Sequence, residues 1–198
     1  MDSEKIEGAL AFLKEAEKLK DVLRTAYTSS GQRESTAAHT WRLCLMAVVF
    51  EEEFADIDFA KLLKICVLHD LGEAINGDIP AIEQDPAAGK SAQEREDLQT
   101  LLAPLDAKRQ AQFLALWDEY ENASSPEARL VKGLDKLETL LQHNQGDNPA
   151  DFNYAFNLSY GQKYTSTHPL FIDIRQRLDE ETRHRASLSE QGHPHTGA

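Results

Sequence analysis

A chain of 198 residues is long enough for one domain that buries roughly 70% of the surface of its unfolded form. Its net charge of -13 excludes extended polynucleotide binding, which needs a basic surface, but leaves room for a small phosphorylated ligand held by local arginines and a cation. No stretch reaches the roughly 18 apolar residues of a membrane span and Met1–Lys5 lacks a signal-peptide core, so a cytoplasmic location without a membrane partner is expected.

Nearly every segment has helical period, and none alternates like a sustained strand, so an all-α fold is expected. A first helix is predicted over about Glu4 to Ala26, with Leu10 and Leu13 on its repeating face, before Thr28-Ser29-Ser30-Gly31 interrupts it. Ser35 caps a second helix to about Ala55, and Asp58 caps a third that carries Leu62, Ile65, Cys66 and His69 until Gly72 offers a stop. Gly77, Pro80, Pro86 and Gly89 make the stretch from Gly72 to Lys90 an ordered loop. Ser91-Ala92-Gln93-Glu94 has the capping-box pattern for a fourth helix, Asp106 starts a fifth through Tyr120, and Ser125-Pro126-Glu127 opens a sixth that stops near Gly146. Ala150 to Tyr164 is mixed, a terminal helix covers about Pro169 to Arg185, and the domain spans 1–186 with a flexible tail over 187–198. Cys44 and Cys66 lie in apolar helical runs and are read as small hydrophobes; Trp41 and Trp117 are read as core.

The chemistry concentrates at His69-Asp70, two adjacent metal-capable groups that break an apolar run. A buried carboxylate costs several kcal/mol unless it is paired, so the dipeptide calls for a cation or a hydrogen-bonded partner. His39 shares an inward stripe with Leu43, Met46 and Phe50, and Asp135 borders the buried face that carries Val131 and Leu134. Two imidazoles and two carboxylates suit one first-row divalent ion, Mn, Co, Fe, Ni or Zn, and leave positions open for water and substrate. Such an ion activates water and polarises a phosphoryl oxygen, which makes phosphate-ester hydrolysis the natural output.

His39, then His69-Asp70, then Asp135, with Arg33-Glu34-Ser35, Glu73, Gly77-Asp78-Ile79-Pro80 and Leu134-Asp135-Lys136-Leu137-Glu138, resembles the HD-domain metal-dependent phosphohydrolases and within them the 5'-deoxynucleotidase group. The resemblance covers about Leu19 to Gly146 and implies a single-domain helical bundle with a metal site between its central helices. It makes His39, His69, Asp70 and Asp135 the ligands of one divalent ion. Glu73 would bind or orient the attacking water or act in proton transfer, and Asp78 would serve as general acid for the departing 5'-oxygen or as a contact to the sugar. Arg24 would bind the phosphate of a nucleoside 5'-monophosphate, with Arg33 as a second candidate. Members of the group place a tryptophan after the first arginine to wall the sugar and base; this chain has Tyr27 instead. The same resemblance implies a homodimer. A phosphohydrolase acting on a guanosine polyphosphate or a cyclic nucleotide, and a non-catalytic nucleotide-sensing module, are the competing readings. Retention of every ligand and of Glu73 favours catalysis.

Overall fold

A computed structural model of the chain describes residues 2–78 and 90–192. Ten helices and one two-stranded sheet occur among those residues, and they divide into two compact units, 1–25 with 34–132 and 26–33 with 133–198.

The first helix is shorter than expected: α1 is Ser3–Ala16, capped by Asp2, and a tight 3-10 turn follows over Glu17–Lys20. Its buried side chain is Phe12, packed edge-on against Phe113, while Leu10 and Leu13 are exposed. The inward face is set by Gly8, where an added Cβ would come within 2.2 Å of the Pro104 carbonyl. The segment predicted as the end of that helix is strand β1, Leu23–Tyr27, paired with β2, Arg33–Ser35. Gly31 at φ +77° turns the chain between them, where Gly carries no Cβ penalty. Pairing with a partner strand, not local periodicity, decides this element.

Helix α2, Thr36–Val49, starts where expected, with the Ser35 hydroxyl accepting from Ala38 N–H at 3.2 Å. It stops before Ala55 because Glu51–Glu53 form a 3-10 turn; three acids oppose the negative C-terminal end of a helix. Helix α3, Phe59–Leu68, is capped by Asp58, whose carboxylate accepts from Lys61 N–H at 2.9 Å. Helix α4, Glu73–Asn76, lies within the segment expected to be loop, of which 79–89 fall outside the described residues. Helix α5, Lys90–Leu102, already includes Ser91, so Ser91 is a helical residue and not the cap. Helix α6, Ala107–Asn122, is capped by Asp106, and Ser125 caps α7, Pro126–Gln145, as expected. In the first unit α2 lies on α3, α3 on α6, and α5 on α4 and α6. Leu43, Leu62, Ile65, Leu98 and Leu102 are fully buried there, each contributing roughly 1.5–3 kcal/mol. Trp117 belongs to this core, whereas Trp41 is 65% exposed, contrary to expectation.

The second unit holds the rest of α7 with α8, Tyr154–Asn157, α9, Gln162–Thr165, and α10, Pro169–Gly192. Gly133 lets α7 approach Phe171 of α10 so closely that a Cβ would meet the ring at 2.4 Å. Helix α10 runs past Ser187, into the segment expected as tail, and residues 193–198 lie outside the described ones. Arg175, 6% exposed, ties the unit together: it donates to Asp179, to Thr165 Oγ1, and to the carbonyls of Tyr160, Asn157 and Leu158 at 2.7–3.2 Å.

Candidate metal centre

His39 stands in the second turn of α2, fully buried on the stripe that also buries Leu43 and Met46. His69 closes α3 through its N–H to the Ile65 carbonyl at 2.9 Å, and Asp70 follows at once. The His69 Nδ1 lies 2.7 Å from the Cys66 carbonyl, which can only accept, so Nδ1 carries the proton and Nε2 presents a lone pair. The backbone carbonyl of His69 accepts from the Trp117 indole at 3.1 Å, and the Tyr120 ring stands edge-on to the imidazole at 5.1 Å. Trp117 is thus a core residue with a polar task, to hold the end of α3.

The lone pair of His69 Nε2 faces Asp70 Oδ2 at 3.0 Å, and His39 Nε2 lies 3.9 Å from the same oxygen. Donor atoms of all three residues fall within 4.8 Å of one another. Acceptor facing acceptor is repulsive unless a positive group lies between. A proton would serve one such pair; a divalent cation would be held by all three residues at once. Ligands about 2.1 Å from a common ion stand roughly 3–4 Å apart, so the observed separations fit the ion that these residue types suggest. The hydrogen bond to Cys66 is of the kind that fixes tautomer and ring plane in histidine metal ligands.

Glu73 opens α4, 6% exposed, and its N–H donates to the Asp70 carbonyl at 3.0 Å, which keeps it beside the dipeptide. Thr36 Oγ1 donates to Glu73 Oε2 at 3.1 Å, so the acid is held from the first residue of α2. Thr36 carries no chemical signal of its own in the sequence, although it lies one helical turn before His39 on the same side of α2. Gly77 at φ +85° ends α4 in a conformation that side chains rarely adopt, and half-buried Asp78 follows it. Asp97, itself buried, grips Asn76 at 2.8 and 2.9 Å and so anchors the α4 end to α5. Cys44 and Cys66 are more than passive hydrophobes: a hydrogen bond to Cys66 pulls the Cys44 thiol down to about 7 against the effect of burial, with His69 and His39 assisting.

Arg24, on β1, pairs with buried Glu34 at 3.6 Å. Within the first unit the chain therefore gathers His39, His69 and Asp70, with Glu73 next in sequence and bonded to α2. Asp135, Tyr27 and Arg33 belong to the second unit. Asp135 is 5% exposed on α7 with Lys136 Nζ at 2.9 Å, and Glu138 on the same helix is fully buried. Burial works against the Lys136 charge, but Asp135 and Tyr160 outweigh it and lift its pKa above the ordinary lysine value. The Tyr27 carbonyl accepts from Gln142 and abuts Gly146, where a Cβ would stand 2.2 Å away, so Tyr27 is seated by the end of α7. Arg33 is exposed at the start of β2. His143 donates through Nδ1 to Asn157 Oδ1 at 3.0 Å.

A family model described as an HD domain matches residues 16–175. The 5'-deoxynucleotidase HDDC2 of Danio rerio is 31% identical over 193 residues, 94% of each chain, and the human protein of that name is 29% identical over 87% of this chain and 85% of its own. Among solved structures, a predicted metal-dependent phosphohydrolase from Magnetospirillum magnetotacticum superposes with a TM-score of 0.78 at 25% identity, covering 92% of this chain and 95% of its own.

Proposed function

The chain belongs to the HD-domain family, and from that premise we propose that it is a metal-dependent phosphomonoesterase that converts nucleoside 5'-monophosphates, with a preference for 2'-deoxy substrates, to nucleoside and phosphate. The observation that carries this reading is the His69 lone pair aimed at Asp70 with His39 beside it, a donor set that a divalent cation completes. The fourth ligand, by the order of the sequence pattern, is Asp135. A cation so held would polarise the phosphoryl oxygens and make water a nucleophile near neutral pH. Arg24 binds the phosphate through its guanidinium fork, with Arg33 as a second cation. Glu73, kept in place by Thr36, orients the water and takes its proton. Asp78, on the loop beyond Gly77, delivers a proton to the departing 5'-oxygen. Tyr27 walls the sugar and base where relatives of the group place tryptophan.

We further take the enzyme to be cytoplasmic and homodimeric. Among the described residues no helix is long and apolar enough to cross a membrane, and α2 exposes Trp41, Leu45, Val48 and Val49, an apolar stripe that a second copy would cover. Phosphate release should be measured across ribo- and deoxyribonucleoside 5'-monophosphates with Mn, Co, Zn or no metal. Metal-dependent turnover with faster 2'-deoxy substrates is expected. Absence of turnover under every metal overturns the nucleotidase reading, and turnover confined to guanosine polyphosphates or cyclic nucleotides replaces it with another phosphohydrolase.

A further inference from the structure

Glu34 has no place in the chemistry above, yet it is one of the most buried charged residues of the first unit, 3% exposed on a three-residue strand. Such a carboxylate needs partners. One is Arg24: the Thr36 N–H donates to the Val22 carbonyl at 2.9 Å, a pairing that sets Arg24 opposite Glu34, and Arg24 Nη1 stands 3.6 Å from Glu34 Oε2. The Arg24 side chain is itself only 14% exposed. A second neighbour is His39, with a ring nitrogen within 4.8 Å of a Glu34 carboxylate oxygen. Glu34 also directly precedes Ser35, the cap of the helix that carries His39. One buried carboxylate thus reaches both the candidate phosphate-binding guanidinium and a candidate metal ligand.

Resting on the proposed phosphatase reading, we infer that Glu34 is a positioning residue that fixes the Arg24 guanidinium beside the metal centre, so that one edge of the fork faces Glu34 and the other is presented to the substrate phosphate. Arginine suits this task because its planar fork can hold a carboxylate on one edge and phosphate oxygens on another; a lysine cannot. Without Glu34 the long side chain regains its rotamers, and each binding event has to order it again.

The test is a double-mutant cycle read first by binding. Calorimetry should follow inorganic phosphate binding to the Mn-loaded full chain for wild type, Glu34→Gln, Arg24→Ala and the double variant, with bound Mn quantified in each. Glu34→Gln is expected to weaken phosphate binding about tenfold with Mn content unchanged, and to add nothing once Arg24 is Ala. Glu34→Asp, which keeps the charge, should restore most of the affinity. Losses that add in the double variant, or a Glu34→Gln protein that binds phosphate like wild type, overturn the inference. Should Glu34→Gln fail to fold, Glu34→Met, which keeps the length of the side chain without its charge, takes its place in the cycle, and the same additivity decides. Failure of the underlying reading looks different: wild type would bind phosphate with the same coupling and hydrolyse no nucleoside monophosphate.

Discussion

The His69 and Arg175 clusters are both knots of polar side chains in dry surroundings, one in each compact unit. Around Arg175 every guanidinium N–H meets an acceptor, from Asp179, Thr165 or one of three backbone carbonyls. At His69 an acceptor meets an acceptor, Nε2 against Asp70 Oδ2 at 3.0 Å. A buried network that satisfies itself stabilises a fold, and one whose donor atoms converge at the spacing of metal ligands is built for a ligand. Substitutions in the two clusters should therefore fail in different ways.

The largest effect is expected at Asp70. Asp70→Ala removes the carboxylate both imidazoles face, and should lose bound metal together with turnover, on the order of 10³-fold, while thermal unfolding of the metal-free protein moves little. Metal analysis beside phosphate release checks it; a metal-loaded, active variant would refute the ligand assignment. Dialysis of wild type against a chelator should give the same loss, reversed by Mn or Co.

Arg175→Met is the converse. It strands Asp179 and several carbonyls without a donor, so a loss of roughly 3–5 kcal/mol in denaturant unfolding is expected, with kcat/KM per folded molecule unchanged. A variant as stable as wild type would show that the cluster is not what ties α8 and α9 to α10.

Thr36→Val separates positioning from stability within the first unit. Valine matches threonine in shape but cannot donate to Glu73, so kcat should fall about tenfold, or ~1.4 kcal/mol, through a less well-aimed carboxylate. The pH profile on its acidic limb should shift as well, which a simple packing defect would not produce.

These residues also mark what the sequence could and could not reveal. Caps are local chemistry, so Ser35, Asp58, Asp106 and Ser125 were legible as helix starts. The burial of His39 was legible because it repeats with Leu43 and Met46 on an inward stripe. Strand β1 was not, since Leu23–Tyr27 becomes a strand only by pairing with residues 33–35, and short apolar runs carry no period of their own. Trp41 misled because its size suggests core, while its helical position points outward. Thr36 and Glu34 are ordinary polar residues until the fold sets Glu73 beside one and Arg24 beside the other.

The smallest effect concerns a third polar cluster, intermediate between the other two. Lys61 of α3 reaches Glu119 at 2.7 Å and Glu127 at 3.2 Å, and Glu127 also accepts from the Asp58 N–H at 3.0 Å. The Lys61 hydrogen bond depresses the Glu119 pKa; at Glu127 burial opposes ionisation, but the Asp58 N–H and Lys61 outweigh it. Both acids thus bind protons less readily folded than unfolded. Their contribution is fully present above the unfolded carboxylate range, near pH 4.5, and is lost as pH falls through the lower folded values. Because the Lys61 side chain is 28% exposed, water screens the pair, and Lys61→Met should cost only about 1 kcal/mol at neutral pH. Denaturant titrations at pH 7 and below pH 4 should show that difference shrinking with acid; a gap that persists at low pH would assign the loss to packing of the lysine stem instead of charge.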